Sequence, residues 1–235
     1  MAKSNEFISV LDQGYIRLVN VMGSDLTVAN AARVSYDKES FELDEKDEKL
    51  IRFLAREGHT SPFRHATLQF EVYAPLMVAR QWWKYVVGSD HTMDAWNESS
   101  RRYVTEEPTF YIPDNDEWRS KPANSKQGSG EPIDYSDGKH FTGALMRYVD
   151  DGLAMYEKAI EQGIAPEQAR LFLPAYGMYV RWYWTASLQS VAHFVNQRLA
   201  HDAQAEIQAY AKAVNALAVE HFPVSIEELT KHAKG

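Results

Sequence analysis

ATLQFEVY, residues 66–73, runs through Ala74-Pro75 into LMVARQWWKYV, residues 76–86, and the fold turns on this junction. Leu68, Phe70 and Val72 alternate with Thr67, Gln69 and Glu71, which predicts a strand with one buried face. Pro75 ends the alternation, because it brings no N–H to a ladder. The residues beyond it predict a buried helix carrying Arg80 and Gln81. An arginine in an apolar helix needs a partner, since an unpaired buried charge is very costly. A carboxylate of the fold or a ligand phosphate would serve.

Upstream, residues 6–36 predict a short strand, a turn at Gly23-Ser24-Asp25 and a helix through Ala29–Val34. Residues 37–47, DKESFELDEKD, are acidic and predict a solvated loop entering a helix. Leu50, Ile51, Phe53 and Leu54 give that helix its apolar stripe, and Gly58 stops it. Downstream, residues 119–139, RSKPANSKQGSGEPIDYSDGK, predict a long mobile loop. Helices are expected at about 141–162, with Gly163 as the stop, at 166–173, and over a long stretch from about 183 to 221. There is no internal repeat. The expectation is one domain over residues 1–235, mixed α and β, with more helix than strand.

Composition narrows the function. The chain has 235 residues, 45% hydrophobic and 25% charged, which suits a single soluble domain with a real core. No apolar run approaches the ~18–20 residues that span a bilayer. MAKSNEFISVLDQGY at the start does not read as a secretory signal. The formal charge of −8 argues against nucleic acid, which selects a basic surplus. Cysteine is absent, so disulfides, thiolate metal sites and a cysteine nucleophile are excluded, and a reducing cytoplasm is the compatible location. His59/His65 and His193/His201 lack a zinc-type spacing with a nearby third ligand, so no metal is expected. No Gly-x-Gly-x-x-Gly, P-loop or nucleophile elbow is present.

Four polar features remain. His59-Thr-Ser-Pro-Phe-Arg-His65 joins a helix to a strand; it suits a polar ligand and equally an ordinary turn. Arg80-Gln-Trp-Trp-Lys84 offers cations, with tryptophans that serve as core filler or stack on a planar ring. Asn97-Glu-Ser-Ser-Arg-Arg-Tyr103 combines hydroxyls and guanidinium forks suited to phosphate, or is a solvated loop. The C-terminal stretch carries Arg170, then Ser187, Gln189, His193, Asn196 and Arg198. Gln189 and His193 share a helix face at i,i+4. Arg198 lies about 140° around from His193 at ~100° per residue, so the two should meet different ligands or different parts of one.

Taken together, LDQGYIRLVNVMGSDLTVANAARVSYD ending at Asp37, GHTSPFRH (58–65), APLMVARQW (74–82), NESSRRY (97–103), FYIP (110–113) and residues 169–211 resemble the flavin-dependent thymidylate synthases. The blocks occur in family order across nearly the whole chain. The resemblance implies an α+β domain, with a twisted, mostly antiparallel sheet packed with long helices. It implies a homotetramer with active sites between subunits, FAD as cofactor, and NADPH and methylenetetrahydrofolate as co-substrates in methylating dUMP to dTMP. It implies dUMP contacts at Gln81, Lys84, Glu98, Ser100, Arg102, Arg170 and Arg198, with Trp82, Trp83, Ser99 and Arg101 in the same candidate group. Arg198 takes the catalytic role of stabilising ionised uracil. It implies flavin contacts at His59, Ser61 and Glu98.

The chain departs from the family pattern twice. Ser187, Gln189 and His193 stand where the family holds flavin with Asn, Arg and Asn. The Arg-His-Arg signature, followed by seven residues and Ser, is altered. Anchored on RQW, its place is taken by Lys84-Tyr85-Val86 with about six inserted residues after it. Counted back from Ser100, it is Asp90-His91-Thr92. Lys84, Tyr85 and His91 therefore join the flavin candidates, and the insertion 87–96 is a place where lost contacts would be rebuilt. Two other functions fit the same motifs: a dUMP-binding flavoprotein without methyl transfer, and a flavin-free regulatory nucleotide-binding module. Failure to complement a thymidine-requiring strain would mark the first, and a colourless purified protein the second.

Overall fold

A computed structural model describes residues 7–87, 95–98, 107–122 and 128–231, with the backbone alone at 86, 87 and 98. Five strands form one antiparallel sheet in the order β1-β2-β3-β5-β4. They are β1 (Phe7–Val10), β2 (Gly14–Met22), β3 (Thr67–Pro75), β4 (Ala95–Glu98) and β5 (Tyr179–Ser187). Eight helices are described: α1 (Asp25–Arg33), α2 (Glu45–Arg56), α3 (Leu76–Val87), α4 (Tyr135–Glu161), α5 (Pro166–Ala169), α6 (Leu188–Arg198), α7 (Ala205–His221) and α8 (Pro223–Thr230).

The strand read from residues 66–73 is β3, and α3 starts directly after Pro75. β3 lies against β5 in an unbroken register from Thr67↔Ser187 to Pro75↔Tyr179. Alternation sends Leu68, Phe70, Val72 and Ala74 into the core beside Ala186, Trp184, Trp182 and Val180. Phe70 stacks on its cross-strand partner Trp184, with ring centroids 5.8 Å apart. Helices α3, α6 and α7 cover this face, and Trp82, Phe194, Tyr210 and Val214 fill the space between.

One expected helix is replaced. The stretch from 183 to 221 divides into the end of β5, then α6, a break at 199–204, and α7. Val180, Trp182, Trp184 and Ala186 point inward while Tyr183 is exposed, which is a period of two. β-Branched and aromatic side chains at that period suit a strand held between two neighbours. Ser187 then caps α6, its hydroxyl accepting from Ser190 N at 3.2 Å. Arg80 is a second correction: it is exposed, so the buried charge expected in α3 does not exist.

α4 begins at Tyr135 rather than near 141, because Asp134 accepts from Ser136 N at 2.8 Å and caps it. The segment before it is tied back on itself. Ser120 N donates to Glu131 O (2.9 Å) and Ile133 N to Trp118 O (2.8 Å). Residues 123–127 of the expected loop lie outside the described residues. Gly58 and Gly163 close α2 and α4 with φ of +68° and +79°, the left-handed region glycine enters without strain. Buried Asp25 accepts from Val224 N (2.8 Å), Ser225 N (3.0 Å) and the Ser225 hydroxyl, joining α1 to the start of α8.

The sheet's second face is polar at its centre. Glu71 is buried and accepts from Tyr15 Oη (2.7 Å), Arg17 Nε (3.0 Å) and Tyr183 Oη (3.2 Å), with Arg17 Nη2 also against it. Burial pushes the Glu71 carboxyl up, but the hydrogen bonds from Arg17 and Tyr15 and the Arg17 charge outweigh it and hold it below its ordinary value. The same contact, added to burial, raises the Tyr15 phenol to about 12. A depressed carboxyl stabilises the fold fully above its unfolded pKa, and that stability is lost as pH falls through the folded one. We expect acid titration below about pH 4.3 to erode stability through Glu71. Glu71→Gln should destabilise by about 1–2 kcal/mol at neutral pH, since Arg17 stays partly solvated. The variant should also flatten the acid limb of a urea-denaturation series; an unchanged limb would refute the assignment.

Candidate active site

α3 presents Met77, Arg80, Gln81 and Lys84 at spacings of three and four, which puts them along one helix face. That face lines a cleft of about 870 Å³, closed by Tyr176 ahead of β5 and Gln204 at the start of α7. Its volume suits a nucleotide-sized ligand. Gln81 joins the walls, its amide Nε2 donating to Gln204 Oε1. Arg80 and Lys84 are exposed and make no ion pair with a described residue, so both cations face ligand or solvent.

Arg198, the last residue of α6, sits beside this cleft. Its Nη2 donates to Gln81 O at 2.8 Å, and its Cζ lies 4.3 Å from the centroid of the Tyr85 ring. Its Nε is buried with no hydrogen-bond partner among the described residues. Burial lowers the Arg198 pKa from its ordinary value, though Tyr85 and Asp202 pull the other way. The guanidinium remains charged, because an arginine starts so far above neutrality. His193, one turn back on α6, tilts its ring against the same Tyr85 at 5.6 Å. The separation expected from their 140° offset is therefore bridged by one large ring reaching across from α3.

The second group of candidates gathers at the other end of α6. His59 and Ser61 are exposed on the turn after α2, where His59 N closes that helix by donating to Leu54 O at 2.9 Å. The 3₁₀ turn Ser61–Arg64 packs on α6, and Leu188 N donates to Ala66 O at 2.9 Å. This brings the GHTSPFRH turn beside Ser187 and Gln189. The eleven residues of α6 span about 16 Å, so the two groups lie at opposite ends of one helix.

The remaining candidates separate into three cases. Trp82 presents no surface to a ligand: it is wholly buried, stacked on Phe194 at 4.2 Å, and leaves the substrate group as a core residue. Ser187 leaves the flavin group for a similar reason, since its buried hydroxyl serves Ser190 N and Oγ. Trp83 stays on the cleft at 53% exposure. Arg170 occupies the 3₁₀ turn Arg170–Phe172, half-buried, and its guanidinium makes no hydrogen bond or ion pair with a described residue. Glu98 ends β4 opposite Trp182. His91, Ser99, Ser100, Arg101 and Arg102 lie outside the described residues, as does the side chain of Glu98.

Three cleft residues were not singled out in the sequence: Met77, Tyr176 and Gln204. Met77 follows from Gln81 and Lys84 by helical spacing. Nothing local marks Tyr176 or Gln204, which reach the cleft only through the packing of α7 and the segment before β5.

The fold and the cleft define an α+β protein with a nucleotide-sized cleft whose walls carry cations and amides. Its relatives sharpen this. Residues 17–224 match the family described as Thymidylate synthase complementing protein. The flavin-dependent thymidylate synthase of Thermosipho africanus is 36% identical over 224 residues, spanning 95% of this chain and 94% of that one. An enzyme of the same name from Thermus thermophilus is 37% identical over 227 residues, 96% of this chain and 78% of that one. Among solved structures, a UMP/dUMP methylase, PolB from Streptomyces cacaoi bound with 5-Br UMP, superposes with a TM-score of 0.81 at 26% identity, over 97% of this chain and 98% of that one. This chain belongs to the flavin-dependent thymidylate synthase family.

Proposed function

We propose that this protein reductively methylates dUMP to dTMP with FAD as cofactor and NADPH and methylenetetrahydrofolate as co-substrates. The observation that carries the reading is Arg198: a charged, half-buried guanidinium bonded to the backbone of Gln81, a wall residue of the nucleotide-sized cleft. Making C5 of uracil reactive requires electron density at that carbon. With no cysteine to add at C6, the chain must favour that density electrostatically. A guanidinium at the N3/O2 edge stabilises negative charge as it develops there, and does so best in a site that excludes water. Gln81 and Lys84, with Ser100, Arg102 and Arg170, orient the nucleotide and neutralise its phosphate.

The residues at the far end of α6 fit a flavin. Gln189 Oε1 is a buried acceptor with no partner among the described residues, and an imide N–H would satisfy it. His59 and Ser61 are exposed on the turn packed against that end, and His193, exposed one turn further along α6, would hold the rest of the group. Reduced FAD supplies, when bound, the hydride of the reaction, while the protein binds, orients and polarises.

Arg170 supports a homotetramer with shared sites, since a half-buried arginine without a partner among the described residues suits a neighbour's ligand. Leu171 (84% exposed), Tyr176 (66%) and Phe41 (88%) supply apolar surface for the contact. Small-molecule substrates, rather than nucleic acid or membrane, complete the reading, and no described helix is long and apolar enough to cross a membrane. We place the reaction in the cytoplasm, where a chain without cysteine loses nothing to the reducing environment.

The decisive experiment is anaerobic. Protein, FAD, NADPH, methylenetetrahydrofolate and dUMP are combined, dTMP is measured, and each component is omitted in turn. A parallel arm replaces dUMP with UMP, the other substrate in PolB's name. dTMP that requires every component supports the reading; none in the complete mixture overturns it. Ser100→Ala is expected to weaken dUMP binding about 10- to 100-fold, the worth of a hydrogen bond to a charged group. Its thermal unfolding should barely move. Unchanged affinity by calorimetry would remove Ser100 from the site.

A further inference from the structure

We infer that Tyr85 is the platform that positions Arg198 for the uracil edge, in place of the carboxylate that would ordinarily fix a half-buried arginine. The inference rests on the role proposed above for Arg198. Two residues one turn apart on α3 make the seat: Gln81, whose carbonyl takes Nη2 at 2.8 Å, and Tyr85, whose ring lies 4.3 Å beneath Cζ. Tyr85 is itself held on both flanks. His193 tilts against it at 5.6 Å and 58°, and its hydroxyl donates to Gln197 Oε1 at 3.4 Å. No described carboxylate comes within ion-pairing distance of Arg198, although Asp202 exerts a weaker attraction through space.

This choice of support has a chemical consequence. A carboxylate in contact would fix the guanidinium but also neutralise it. A ring face attracts the cation through its quadrupole and sets its plane while leaving the charge whole. One carbonyl and one ring occupy a single N–H and one face of the guanidinium. Nη1, which makes no hydrogen bond with a described residue, is left for a ligand, while Nε is sealed in the interior. Charge that must meet an anion forming on uracil is thereby preserved in a partly dehydrated place. Tyr85 is a positioning residue acting through Arg198, whereas its place in the altered signature had put it among the flavin contacts.

The test compares Tyr85→Leu and Tyr85→Met, which remove the ring but keep apolar volume, with Tyr85→Phe and Tyr85→Trp, which keep a face. On the flavin-loaded full chain we expect both ringless variants to lower kcat for dTMP formation about tenfold, with a smaller change in KM for dUMP. Phe and Trp should restore it to within about threefold. Flavin content per protomer, read from the visible spectrum, should stay constant throughout. Calorimetric dUMP binding then gives a double-mutant cycle of Tyr85→Leu with Arg198→Lys, and the two changes should be non-additive. The inference is overturned if the ringless variants lose flavin while kcat per bound flavin is unchanged. Equal losses in Phe and Leu, or an additive cycle, overturn it as well. Should the wild-type chain form no dTMP, the methylation reading fails, and the binding cycle still decides whether Tyr85 positions Arg198.

Discussion

Arg198→Ala is expected to lower dTMP formation at least about 10²–10³-fold while leaving the fold and the flavin content intact. The magnitude follows from the chemistry proposed for it. A preorganised charge aimed at developing negative charge contributes mainly in the transition state, so the loss appears in kcat. The fold should survive because Arg198 ends α6 rather than bridging its interior. The carbonyl it binds, that of Gln81, belongs to a helix whose core contacts are made by other residues, Val78, Ala79 and Trp82. Flavin content should survive because Gln189 lies nine residues back, about 13 Å along α6, with His59 and Ser61 on the turn packed at that end. Single-turnover kinetics beside a visible spectrum of the purified variant would check both halves. A variant that keeps near wild-type turnover would show that uracil is polarised by something else.

Trp82→Ala carries the largest expected effect on stability, about 3–5 kcal/mol, the range for deleting a buried tryptophan. Trp82 stacks on Phe194 at 4.2 Å and meets Trp182 and Trp184 edge-on at 5.5 and 5.3 Å, so its removal opens a cavity at the meeting of α3, α6 and β5. Trp82→Phe should be far milder. Phenylalanine keeps the stacking, and it removes an indole N–H that has no partner among the described residues. Urea midpoints of the two variants would test the contrast. If Trp82→Ala instead unfolds like wild type and loses dUMP affinity, the residue belongs to the site after all.

The strand–turn–helix at residues 66–86 was legible because each half repeats at its own period and Pro75 separates them. The helix stops at Gly58 and Gly163 were legible because glycine is the residue that enters left-handed φ without strain. β5 was not. Trp182, Trp184 and Ala186 alternate over too few residues to stand against the long helical pattern that follows, and what makes them a strand is the pairing with β3 and β4. Arg80 looked buried because its neighbours are apolar. In a helix, though, adjacent residues lie about 100° apart, and Ala79 and Trp82 are buried while Arg80 is not.

From the candidate site, Gln81, Lys84 and Arg198 were readable as polar groups whose motifs together mark one family, and the absence of cysteine closed one chemical route. Those are properties of residue type and order, which the chain carries unfolded. That Arg198 rests on Tyr85 and Gln81, and that the GHTSPFRH turn packs against the other end of α6, arose only on folding. Trp82 and Ser187 likewise became core and cap only then. The physical reason is that each of these depends on a contact between elements far apart in sequence: α3 against α6, or β3 against β5. Spacing along a helix fixes which residues share a face, but only packing decides what that face meets.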